Sequence, residues 1–183
     1  ADVTPEELIT LANNNICLME VIYKFPHKVF FDIDKLTIDN KDGNNYLTKI
    51  MNKLNEVFPN SDPLGDWAIS GSETDIKMSY HIINNSYNVT NEKDRALLSN
   101  ICKTLKGFDN GFDEKVYAKV HDMKCIKQSK PGDRRVQNII QNKNEGAHFI
   151  TCFINPNAVS LSTIQFNEEI FEAVKMESLT QHT

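Results

Sequence analysis

No apolar run in this chain approaches the roughly 18–20 residues that a membrane helix needs. A basic-then-apolar leader is also missing at its start, so the expectation is an intracellular protein, not a secreted or membrane one. Cysteine is scarce: Cys17, Cys102, Cys125 and Cys152 lie far apart and form no CxxC pair. That spacing argues against both a zinc ribbon and a disulfide framework. His148 and Cys152, four apart, would share a helical face, but no matching ligand pair accompanies them. The sequons at Asn84 and Asn88 would matter only in a secretory protein. With seven Gly and six Pro in 183 residues, the chain has no low-complexity tract, linker or repeat. Its length suits one domain with a real core. Residues 1–183 are expected to form one domain, excised from or part of a larger protein. Excess positive charge is lacking too, and a net charge of −5 opposes binding of nucleic acid by bulk attraction.

The distribution of charge differs from its sum. Between Lys115 and Lys143, eight cations face only Asp122 and Asp133, a local net of +6. Such a segment is either a phosphate-contacting surface or a solvated strand and loop.

Helix and strand signals alternate along the chain. Thr4, Pro5 and Glu7 have the chemistry of a helix start, and a short helix to Asn13 follows. Residues 21–23 and 28–34 read as strands, and 39–45 as a turn that fails the spacing of a calcium loop. Leu47, Ile50, Met51, Leu54 and Phe58 recur at helical spacing, with Pro59 at the exit. Strands are expected at 66–70 and 76–83. Asn91 is placed to cap a helix ending at Gly107. An extended run is expected at 112–127, a strand at 149–154 and a last helix at 167–176. The fold class is α+β.

Three constellations carry chemistry. In Phe31-Asp32-Ile33-Asp34, strand alternation puts both acids on one face and the apolar residues on the other. Adjacent carboxylates repel, and a divalent cation resolves the repulsion; hard oxygen donors suit Mg²⁺ or Mn²⁺. A strand end running into solvent is the alternative. In Lys77-Met78-Ser79-Tyr80-His81, the same alternation aligns a cation, a hydroxyl and an imidazole, an anion-contacting row. Phe112-Asp113 opens a basic stretch through Lys119, His121, Lys124 and Lys130. Asp113 either completes a metal site or is a turn aspartate after Gly111.

Taken in order, these segments resemble the archaeo-eukaryotic primase superfamily, most of all its PrimPol-like members and the primase part of large-DNA-virus primase-helicases. Phe30 to Asp34 is similar to the family's first motif, hydrophobic residues then DxD. Ser79-Tyr80-His81 looks like its SxH motif, and Phe112-Asp113 its third. Val116-Tyr117 and Ser129-Lys130-Pro131-Gly132 look like the strand and serine-lysine loop that follow. The likeness spans about residues 20–160.

The resemblance implies a split RRM-like antiparallel sheet with an adjoining α/β module forming a catalytic cleft. It implies Asp32, Asp34 and Asp113 as ligands of two Mg²⁺ or Mn²⁺ ions, with Lys77, Ser79, His81, His121, Lys124 and Lys130 on the nucleotide. The implied partners are single-stranded DNA template and primer, NTP or dNTP, and a fused or associated helicase. Relatives often carry arginine where His121 and Lys124 stand, so bidentate contacts are lost there. Two other tasks fit the same residues: a repair polymerase that only extends primers, and a non-catalytic module binding single-stranded nucleic acid.

Overall fold

In the computed structural model of the chain, which describes residues 4–13, 18–36, 43–74, 76–118, 120–129, 135–164, 172 and 176, the fold is α+β. Its helices, among the described residues, are α1 (Pro5–Asn13), α2 (Gly43–Val57) and α3 (Glu92–Phe108). The strands are β1 (Met19–Ile22), β2 (His27–Leu36), β3 (Trp67–Glu73), β4 (Lys77–Val89), β5 (His121–Lys124), β6 (Asn138–Gln141) and β7 (Val159–Ser160). Four of them form an antiparallel sheet in the order β2-β4-β3-β6, and β7 adds parallel to the far end of β4. β1 and β5 make a separate antiparallel pair.

Local chemistry explains the helix starts. Thr4 N–H donates to Glu7 Oε2 at 2.9 Å and Glu7 N–H to Thr4 Oγ1 at 3.2 Å, a reciprocal capping box. Asn91 caps α3 by accepting from Asp94 N–H at 2.9 Å. Ile50, Leu54 and Phe58 turn fully inward from the α2 region, and Leu98, Ile101 and Leu105 from α3. They join Phe31, Ile33, Tyr80 and Ile82 of the sheet in one core. Phe31 meets Phe58 and Phe112 edge to face, with ring centres 6.1 and 5.9 Å apart. Each buried aromatic of this kind contributes roughly 1.5–3 kcal/mol by leaving water.

Three expectations are corrected. The run at 112–127 is not continuous: Asp113 accepts from Lys115 N–H at 2.9 Å and starts a 3₁₀ turn, Glu114–Tyr117, leaving only β5 extended. Residues 149–154 form bends, not a strand. The backbone N–H groups of Ile150 and Thr151 donate to the Glu20 carboxylate at 2.9 Å rather than to a neighbouring strand, and Phe153 takes a positive φ of 54°. His148 and Cys152 therefore share no helical face. Gly43 to Asn45, expected in a turn, begin α2, while 39–42 lie outside the described residues. The helix expected at 167–176 also lies outside them, apart from Glu172 and Met176. Asn84 and Asn88 are buried, so neither sequon is open to a glycan in this fold.

Buried polar groups tie the elements together. Glu20 fastens the 150–151 backbone to β1, and burial holds its carboxyl above the usual range. Lys28, brought down to about 8 by burial, donates to Gly146 O at 3.0 Å. Asp94, fully buried, accepts from Thr90 N–H, Thr90 Oγ1, Ser160 Oγ and Ser162 N–H, joining the start of α3 to β7 and the turn after it. Asp94→Ala strands those donors and is expected to cost about 2–4 kcal/mol in a urea melt. His27 and His148 are buried, and burial holds both below the ordinary histidine value. His148 Nε2 donates to Asn142 O at 2.6 Å while its Nδ1 is buried without a partner to receive a proton's charge. The unfolded chain therefore protonates first as pH falls through about 6.5, so their contribution is full above that pH and lost below it. The urea midpoint should drop between pH 7.5 and 5.5, and drop less in His148→Gln.

Candidate metal centre

Alternation along β2 places Phe31 and Ile33 at zero exposure in the core and turns Asp32 and Asp34 to the opposite face. The register with β4 then sets their neighbours. Asp32 lies across from His81 and Asp34 across from Ser79, and β3 continues both rows with Ser70 and Ser72. Each row thus runs acid, then imidazole or hydroxyl, then hydroxyl, across three strands. Met78, Tyr80 and Ile82 point the other way, into the core.

Asp113 arrives from the opposite edge of β2. Asp34 N–H donates to Gly111 O at 2.9 Å and Asp113 N–H to Asp32 O at 3.0 Å, with Ile33 bridged to Phe112. This short ladder sets the third acid beside the first two. One oxygen each from Asp32, Asp34 and Asp113 lies within 4.8 Å of the others, the one such acidic cluster among the described residues. That donor set, hard and anionic on a rigid strand, matches what a divalent cation takes.

Positive and polar groups hold the acids in place. Lys77 Nζ stands 3.2 Å from Asp34 Oδ1, and Ser79 Oγ donates to the same oxygen at 2.5 Å. His81 Nε2 is 3.6 Å from Asp32 Oδ1. The Asp32 side chain is 15% exposed and that of Asp34 40%, so the cluster is sheltered on its inner side and reachable from solvent on the other. Below it, Tyr117 donates to Phe30 O at 2.6 Å, and burial holds its phenol far above its ordinary value. Cys102 donates to Asp113 O, with its thiol pushed up to about 12 by burial.

The acids open into a pocket of about 220 Å³. Lys77, Ser79 and His81 line it on the sheet side, and His121 and Lys124 on the β5 side. Lys130 lies outside the described residues. The structure also brings in Ser72, Asp122, Met123, Arg135 and Gln137, none of which was singled out as a site residue from sequence. Ser72 carried a faint signal, alternating with Ser70 on a strand. Gln137 carried none: it reaches the site by donating to Ser70 Oγ at 3.0 Å from a loop 67 residues away. Lys124 Nζ donates to Arg135 O at 3.2 Å, so it braces the loop that carries Arg135.

Three carboxylates this close repel one another without a cation. Asp113→Asn keeps the cap on Lys115 N–H but removes one charge. Its metal-free stability should rise by about 0.5–1 kcal/mol, while the increase in melting temperature produced by Mn²⁺ in the parent protein should vanish. In comparisons with known proteins, no protein-family model and no curated protein matches this chain.

Proposed function

We propose that this chain is the catalytic domain of a DNA primase-polymerase, which joins nucleotides on a single-stranded template. The observation that carries this reading is the convergence of Asp32, Asp34 and Asp113 beside Lys77, Ser79 and His81 in one open pocket. In the same reading, the antiparallel sheet is the split RRM-like half, and the β1–β5 pair with its loops is the other wall of a catalytic cleft. Lysine, serine and histidine in a row answer a polyphosphate better than a single phosphodiester, which favours a polymerase over a nuclease.

Phosphoryl transfer asks for alignment and charge neutralisation more than for covalent help from the protein. Asp32, Asp34 and Asp113 would hold two Mg²⁺ or Mn²⁺ ions, which when bound lower the pKa of an attacking 3′-hydroxyl and steady the leaving pyrophosphate. Lys77 and His81 face the same space and would supply donors for a triphosphate as its negative charge grows, and Ser79 would join them on turning its hydroxyl away from Asp34. Arg135 and Lys124 on the far side add positive charge where a second phosphate chain, that of template or primer, enters.

Incubation with single-stranded template, Mn²⁺ and labelled triphosphates tests the assignment. The parent protein should make product, more weakly as salt rises. The double variant Asp32→Ala, Asp34→Ala should lose at least about a thousandfold in rate while its circular dichroism stays unchanged. Product from that variant at the parent rate would remove the metal-site assignment. Supplying template with and without a primer separates synthesis from zero from extension alone.

A further inference from the structure

A second cluster lies on the other side of β2, outside the pocket. Asp109, with a side chain only 5% exposed, accepts from Tyr46 Oη at 2.7 Å and from Gly111 N–H at 2.8 Å. Lys35 and Lys49 stand 3.7 and 3.4 Å from the same carboxylate and offset its charge. Gly111 donates to Asp109 through its N–H and accepts from Asp34 N–H through its carbonyl, so the residue is held on both of its peptide groups. Two residues later, Asp113 N–H closes the ladder on Asp32 O.

Resting on the reading of Asp32, Asp34 and Asp113 as metal ligands, we propose that Tyr46 and Asp109 are positioning residues for the third ligand. Tyr46 orients Asp109, Asp109 holds Gly111 by its N–H, and the placement of Gly111 sets where Asp113 stands relative to the other two acids. The fit around this turn is tight. A Cβ at Gly111 would collide with Tyr46 Oη and lie 3.0 Å from Asp109 Oδ1, so the hydroxyl and carboxylate close on the backbone itself. Asp113 sits on a two-residue ladder rather than a full strand, so its position depends on that clamp more than Asp32 and Asp34 depend on theirs. Partners that orient a metal ligand without touching the metal typically contribute 10- to 100-fold in metal affinity.

The test is Mn²⁺ affinity, measured by the loss of the free-ion electron paramagnetic resonance signal on the whole chain. The variants are Tyr46→Phe, Asp109→Asn and Asp109→Ala. Tyr46→Phe removes only the hydroxyl and should weaken Mn²⁺ binding about tenfold, while lowering the metal-free melting temperature by no more than the loss of one buried hydrogen bond accounts for. Asp109→Asn keeps the acceptor for Gly111 and Tyr46 and should stay within about threefold of the parent, whereas Asp109→Ala should fall at least as far as Tyr46→Phe. If the parent binds Mn²⁺ and Tyr46→Phe binds it equally well, the positioning role is overturned while the metal centre stands. If the parent binds none, the metal centre itself falls and this role with it. Should Asp109→Ala fail to fold, Tyr46→Phe against the parent decides the matter alone.

Discussion

Strand β2 makes backbone hydrogen bonds along both of its edges, and the site exists because of that. On one edge β4 pairs residue by residue and brings Ser79 and His81 opposite Asp34 and Asp32. On the other, Gly111 and Asp113 take up the backbone groups of Asp34 and Asp32. A one-residue slip on either edge would turn a row of polar side chains into the core. Phe31 and Ile33 forbid that slip, since each is wholly buried among aromatic and aliphatic neighbours. Hydrophobic burial on one face of the strand thus enforces electrostatic order on the other.

Like charges within 4.8 Å repel one another, and the sheet sets Lys77, Ser79 and His81 beside the three carboxylates rather than an apolar wall. The buried Glu20, by contrast, is answered by backbone donors and a hydroxyl, which marks it as a structural fastener.

The second wall of the pocket is built differently. β1 and β5 form only a four-residue ladder, and their place against the larger sheet comes from loops held by Glu20, Lys28 and Lys124. The sheet side carries the three acids together with Lys77, Ser79 and His81, and the β5 side carries His121, Asp122 and Lys124.

Much of this was legible in the amino-acid sequence. Alternation in β2 and β4 placed Asp32 with Asp34, and Lys77 with Ser79 and His81, because side-chain direction in a strand is a local property with a period of two. Capping at Thr4 and Asn91 was equally local. The path after Phe112 and the conformation at 149–154 were misread because the backbone donors there are taken by carboxylates, Asp113 within its own turn and Glu20 from 130 residues away. The places of Ser72, Arg135 and Gln137 in the pocket, and the clamp of Tyr46 on Asp109, rest on contacts between segments far apart in the chain. The sequence by itself determined which side chains share a face; only the tertiary structure decided which faces meet, since that depends on long-range pairing that no local pattern encodes.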